Sequence, residues 1–406
     1  MKVLLKNNLL QNWSFLLILL LIPALLLSRA GLSLLSVLII VPALFSLQHQ
    51  ETVYKFCKGA AGILLPVLIS GIWSHDRHQW ALEVLNKLPL ITVSIGLIGA
   101  GLTPQKVKLF IFTLCFFVFG ACIWSMVNYG VNASAINQSY LVAKVMPTLM
   151  DNDHIRFSWL IVISSVLLAG QLALQSSKKE KIGGLVLIVF FFVYLHFLAA
   201  KTGLLCMYGC LIISGCWSLL YSKEKKWAVW GFILVPAIVL LSYFAFPTLQ
   251  HRVQYVVWDY QQYSHGIYRI GSSDGDRLLS YTAGWDIANA HPVFGCGFGD
   301  LLQEINNWHT QHHPQSQDYE RFKPTNEWLI YAAASGWTGM LIFTAGILLL
   351  FLLIWEKELF SICLCLVLLI PLITDDTLGG QYGVFLLTAG ICLGWYIRHP
   401  LRSKLL

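Results

Sequence analysis

Apolar residues in this chain come in long blocks rather than in alternating or amphipathic patterns. Twelve blocks stand out, over residues 14–28, 31–47, 60–74, 88–103, 107–129, 155–175, 183–200, 202–221, 227–247, 327–354, 358–374 and 382–397. A helix needs about 20 apolar residues to cross a bilayer, with a range of roughly 17–25. The pattern predicts an all-α, polytopic integral membrane protein with about 12 transmembrane helices. The first two blocks are short and separated only by Arg29-Ala30, which predicts a tight helical hairpin. The first follows a basic start, Lys2 to Lys6, as a signal peptide would. No small-residue cleavage site then leads into a soluble chain, so it reads as a span.

One polar stretch, residues 248–326, breaks the rhythm. It divides the chain into 1–247 with the first nine helices, the loop 248–326, and 327–406 with the last three. A structureless loop of 79 residues would be unusual, so the stretch is expected to be folded or functional. Within it, DRLLSYTAGWDIANAHPVFG predicts a short helix. Leu278, Tyr281, Trp285 and Ile287 have roughly helical spacing, and Pro292 and Gly295 stop it. Such a helix is expected on or near the outer membrane surface.

Composition narrows the class. Hydrophobic residues make up 57% of the 406 positions and mean hydropathy is +0.68. Charged residues make up 12%, about half the share usual in a soluble chain. These values exclude a disordered chain, a nucleic-acid-binding domain and an ordinary cytosolic enzyme. Nine of the ten cysteines lie in or beside apolar blocks and read as small packing residues, not as a disulfide framework or a metal site.

The net charge of +7 matters less than its placement. With the N-terminus in the cytoplasm, the inside segments carry 16 of the 27 Lys and Arg, among them Lys55, Lys106, Lys179, Lys223, Lys225, Arg398 and Lys404. The short outside loops carry six, Arg29, Arg77, Lys87, Lys144, Arg156 and Lys201, and the long loop carries five. That asymmetry predicts an even number of spans, both termini inside and the long loop outside.

Candidate chemistry gathers on the outer side. Lys201 stands between two apolar blocks with no hydrophilic loop to solvate it, Arg156 opens the sixth block, Arg77 and Lys87 bracket the turn between the third and fourth, and Arg277 begins the surface helix. Boundary cations either snorkel to headgroups or face a cavity or partner. Five of them converging on one cavity would suit an anionic lipid phosphate or diphosphate. Gly295 and Gly297 in HPVFGCGFGD predict a tight turn whose backbone approaches a ligand or a helix, not a dinucleotide fingerprint. His309, His312 and His313 lack a Cys or acid at ligand spacing, so a solvated loop or an acid–base histidine is favoured over a metal. Thr325 or Asn326 fits a helix N-cap and Glu327 its first turn, unless they form a polar active-site edge.

Taken together, the chain resembles the O-antigen ligase and polymerase superfamily, bacterial membrane glycosyltransferases. The resemblance rests on the span layout and on three stretches in order: LAAKTGLL, DRLLSYTAGWDIANAHPVFGCGFG and TNEWLIYAAASGWTG. They are similar to the family's small-residue–Arg–small turn, its Arg-helix-Pro-x-x-Gly-x-Gly stretch and its His-Asn-x-x-Leu…Gly-x-x-Gly stretch. The resemblance implies an undecaprenyl-diphosphate-linked glycan donor, a lipid A-core or other glycan or protein acceptor, the bacterial inner membrane, and lipopolysaccharide biosynthesis. It implies inverting transfer with no metal or other cofactor. Arg277 and Lys201 would meet the diphosphate, with Arg156, Arg77 and Lys87 as further candidates. One departure stands out: Thr325 occupies the place of the family's loop histidine. The base is then expected to be His313, then His309, or else Glu327, unless no strong base is needed. Ligation is favoured over repeat-unit polymerisation or transfer to a protein. A twelve-helix secondary transporter is disfavoured because no duplicated half is visible.

Overall fold

The computed structural model describes residues 2–45, 47–142, 144–174, 176–221, 225–265 and 274–402. Lys223 and Lys404, counted above toward the inside charge, lie outside the described residues. Among the described residues the fold is all-helical. The elements are α1 (Lys2–Leu27), α2 (Arg29–Leu38), α3 (Ile40–Phe45), α4 (Gln50–Ser70), α5 (Arg77–Lys87), α6 (Pro89–Gly99), α7 (Pro104–Ser139), α8 (His154–Leu174), α9 (Lys178–Leu198), α10 (Lys201–Tyr221), α11 (Lys225–Ala245), α12 (Pro247–Ser264), α13 (Asp274–Ala290), α14 (Leu301–His312), α15 (Glu327–Leu352), α16 (Leu359–Thr374) and α17 (Gln381–Arg402).

Each of the twelve apolar blocks falls on a helix, but the helices are not twelve equal spans. Among the described residues, seven helical stretches are long and apolar enough to cross a membrane, or eight if the bent pair α11–α12 forms one span. The second block breaks into α2 and α3, and the fourth continues back through α5, giving one 23-residue stretch over Arg77–Gly99. Residues 12–27, 29–45 and 359–374 form shorter apolar helices. Many side chains on the outside of the bundle are large and apolar, such as Phe116, Leu185, Leu240 and Leu341. A lipid-facing surface tolerates these, whereas a water-facing one carries charge.

The turns meet in two groups. At one end Arg29 pairs with Asp151 at 2.7 Å, Asn86 donates to Gly379 O at 3.1 Å and Ser33 donates to Gln381 at 2.5 Å. At the other end Lys108 pairs with Glu180 at 2.6 Å, Lys106 donates to Asn12 at 3.1 Å and Arg398 Nε donates to Glu356 at 3.0 Å. Turns assigned to one side by charge therefore meet their own kind. The stretch 248–326 joins the first group and holds three helices, α12, α13 and α14, where the pattern pointed to one. The other two escape a hydropathy reading because both carry His, Gln and an acid among their apolar residues.

Two backbone fits hold this end together. Helices α4 and α15 touch through glycines: a Cβ on Gly62 would fall 2.5 Å from Gly346 Cα, and one on Gly346 would fall 2.7 Å from Gly59 O. Small residues at such a crossing let two backbones approach. Helix α15 is also broken at Gly336, where φ is +71°. The turn after α13 docks into that break: Cys296 N donates to Ala333 O and Gly297 N to Ala334 O, both at 2.9 Å, and Trp337 N donates to Pro292 O at 2.9 Å. Gly295, also at φ +71°, leaves no room for a side chain, since a Cβ there would lie 2.3 Å from Ala334 C. The glycine-rich turn thus approaches a helix.

Gly346→Ala should destabilise the purified protein by about 1–3 kcal/mol through overpacking. Gly120→Ala, with nothing within 4 Å of the new Cβ, should leave the thermal melting midpoint in detergent nearly unchanged. Equal midpoints for the two variants would refute the close-packed crossing.

Candidate active site

The site is built around the turn between α16 and α17, which carries Asp375 and Asp376. Asp375 is 5% exposed. Arg156, near the start of α8, reaches it with Nη1 at 2.9 Å and also bonds the Asp376 carbonyl. Arg277, in the first turn of α13, stands 3.9 Å from the same carboxylate and donates Nη1 to Thr374 O at 2.8 Å. Burial pushes the Asp375 pKa up from its ordinary value, and the two arginines act against that push. From α15, Asn326 donates to Ile373 O at 2.9 Å while its Oδ1 caps the helix through Leu329 N at 3.1 Å. Glu327, 1% exposed, accepts from Leu378 N. Helices α8, α13 and α15 are thereby tied to one turn.

Two further charged groups flank it. Lys87 pairs with Glu83 at 2.8 Å, and Glu83 also holds Lys323. Burial alone would lower the Lys323 pKa, but Glu83, Asp376 and Glu327 together outweigh it and the pKa rises. On the other flank Lys201 Nζ lies 2.5 and 2.8 Å from the Asp274 carboxylate, and Asp274 N donates to Asp259 at 2.7 Å. Lys201 is thus held by a carboxylate one helical turn from Arg277.

The candidate residues separate on this geometry. Arg156 and Arg277 share Asp375, and Lys201 lies beside them through Asp274. Lys87 is buried within the Glu83–Lys323 group. Arg77 is exposed and turns its guanidinium toward Ile72 O at 3.4 Å. Asn326 and Glu327 border the turn. Thr325 packs under α13, its N–H donating to Ser280 Oγ at 3.3 Å and its carbonyl accepting from Tyr281 at 3.2 Å. Gly295 and Gly297 shape the scaffold behind it.

The histidines form a separate patch on α14. His309 is 2% exposed and neither ring nitrogen has a hydrogen-bond partner among the described residues. Burial, then Arg321 and His313, push its pKa down to about 4. His312 stacks on Trp308, ring centroids 4.7 Å apart, and His313 ends the helix. Beside this patch, Asp276 is pushed up to about 7 by burial, then by the charges of Glu320 and Asp259. The charges acting on His309 belong to this patch and not to the Arg156–Asp375–Arg277 group.

Residues 185–344 match a family model described as O-Antigen ligase. The matching family model runs from α9 into α15. This supports the resemblance to the O-antigen ligase and polymerase superfamily, and with the membrane-type helices it implies a bacterial membrane protein of the glycosyltransferase kind. No curated protein matches the chain. The matched segment contains Lys201, Arg277, His309, His313, Asn326 and Glu327, whereas Arg156, Lys87 and Asp375 reach the site from outside it.

Reading the sequence for cations overlooked the carboxylates that organise them: Asp375, Asp274 and Glu83. A signal was present for the first. TDDT places two adjacent acids between two apolar helices in a stretch otherwise almost free of charge. Arg252, Asp259 and Lys323 had no such signal, because each lies in a polar loop where charge is ordinary.

Asp276 gives a pH prediction. The folded group keeps its proton up to about pH 7, while an unfolded Asp loses it near pH 3.9. The folded state binds more protons between those values, so this group's stabilising contribution is present below about pH 4 and is lost as pH rises through about 7. Asp276→Asn should flatten the fall in melting midpoint between pH 5 and 8. His309 works in the opposite sense: with its pKa at about 4, its contribution is lost as pH falls from about 6.5 to 4. A wild-type slope unchanged by Asp276→Asn would contradict the raised pKa.

Proposed function

We propose that this protein transfers a glycan from an undecaprenyl-diphosphate-linked donor to an acceptor hydroxyl at the periplasmic face of the bacterial inner membrane, as an O-antigen or surface-polysaccharide ligase. The observation that carries this reading is the gathering of Arg156, Arg277 and Lys201 at one end of the bundle, with Arg277 and Lys201 inside the O-antigen ligase segment. The charge asymmetry of the loops supports both termini in the cytoplasm and the site end outside.

In the proposed reaction the acceptor oxygen bonds to the anomeric carbon with inversion. The bond to the lipid diphosphate breaks, and the hydroxyl proton passes to a base. The leaving diphosphate gains negative charge, and preorganised cations are the groups that stabilise it. We assign the base to His313 or His309, and to Glu327 should both be dispensable. No divalent metal is part of the proposed mechanism. The acceptor is lipid A-core in the ligase reading.

A deletion strain separates the alternatives. Unattached lipid-linked polymer is the expected product of losing a ligase. Single repeat units would indicate a polymerase, and an intact polysaccharide with unglycosylated protein would indicate a protein O-oligosaccharyltransferase. An unchanged glycan profile would overturn all three.

Arg277→Ala and Lys201→Ala should each lower transfer about 10²–10³-fold at normal membrane levels, the cost of losing one transition-state donor. Full activity in both variants would assign these cations to structure alone. The triple alanine variant of His309, His312 and His313 should lower transfer about 10²–10⁴-fold. Near-wild-type transfer in that variant would move the base to Glu327.

A further inference from the structure

One buried cation at the site end was assigned no role by the sequence. Arg252, in the first turns of α12, is 8% exposed, and neither Nε nor Nη1 has a hydrogen-bond partner among the described residues. Its guanidinium carbon lies 5.6 Å from the Tyr255 ring centroid. A buried guanidinium is ordinarily satisfied by carboxylates or carbonyls, so buried unpaired donors call for an explanation.

The surroundings supply one. Helix α12 is fastened beside the site, with Thr248 donating to Phe197 O at 2.6 Å and His251 bonded to Asn137 O at 2.9 Å. Asp259 lies two helical turns along the same face from Arg252 and holds the backbone of Asp274, which in turn holds Lys201. Arg277 follows Asp274 by one turn. Arg252, Arg277 and Arg156 all stand within electrostatic reach of His154, and Arg252 and Arg277 within reach of Lys201. Lys201, Arg156 and Arg277 each have a protein acceptor, while Arg252 keeps two donors unused.

We propose that Arg252 is a donor-binding residue: its free Nε–H and Nη1–H meet oxygens of the lipid diphosphate alongside Lys201 and Arg277. This rests on the glycosyltransferase reading and deepens it. The free Nε–H and Nη1–H point from different edges of a planar guanidinium, so they suit oxygens of the two phosphoryl groups of a diphosphate, a fixed geometry that a lysine ammonium does not impose. Lys201 is already held by the Asp274 carboxylate, so Arg252 brings unused N–H donors to the same end of the bundle from another helix.

The test uses the full-length protein in nanodiscs containing undecaprenyl diphosphate, with undecaprenol as the uncharged comparison. Wild type should bind the diphosphate in preference to the alcohol. Arg252→Gln should weaken diphosphate binding about 10–100-fold, and Arg252→Lys should weaken it less while keeping the charge. Binding of undecaprenol should not change in either variant. Lys55→Gln, at the opposite end of the bundle, should bind like wild type. If Arg252→Gln does not fold, Arg252→Lys decides: a folded lysine variant with wild-type affinity overturns the proposal, and so does a lowered melting midpoint with an unmoved binding constant. Wild-type protein that binds diphosphate and alcohol alike overturns both this proposal and the donor reading beneath it. Undiminished binding in the Arg252 variants overturns this proposal alone.

Discussion

A carboxylate buried between two arginines governs this end of the molecule. Asp375 is withdrawn from water, and a charge in that position is tolerated only when it is paired. Arg156 and Arg277 provide the pairing from α8 and α13, helices more than 100 residues apart in sequence. Removing the carboxylate would leave two guanidinium groups facing each other, and removing an arginine would leave the carboxylate under-compensated. The positions of α8, α13 and the α16–α17 turn are therefore interdependent, and α15 joins them through Asn326 and Glu327.

This arrangement explains why the family-matched stretch cannot form the site alone. Residues 185–344 carry Lys201, Arg277, Asn326 and Glu327, but the acid that fixes Arg277 comes from beyond α15 and the second arginine from before α9. The rigid support is also shared. The glycine-rich turn after α13 is locked into the break in α15 at Gly336, and α15 is locked against α4 by three glycines that admit no side chain. Backbone contact at these places sets where α13, and with it Arg277, sits over the bundle.

The histidine patch follows a different logic. At Thr325 the backbone bonds Ser280 and Tyr281 of α13, a scaffold role. The nearest imidazoles in sequence stand on α14 with Trp308, Arg321 and Glu320 around them. The cation group and the histidine patch are thus carried by neighbouring helices that pack on each other, α13 and α14.

Much of this was legible one residue at a time. The apolar blocks, the helix over DRLLSYTAGWDIANA, the start of α15 at Glu327 and the gathering of like turns at each end follow from composition and charge. The reason is that lipid exposure acts on each segment separately and leaves its mark in local hydropathy. The partners of the charges were not legible: Asp375 for Arg156 and Arg277, Asp274 for Lys201, Glu83 for Lys87 and Lys323. Nor was the pair of helices α12 and α14, some of whose polar residues, such as His251 and Trp308, bond neighbours distant in sequence. Pairing depends on which helix ends meet in three dimensions. In a low-dielectric setting that meeting decides whether a cation is an exposed side chain, a structural tie or a buried donor without a partner among the described residues, as Arg77, Arg156 and Arg252 respectively illustrate.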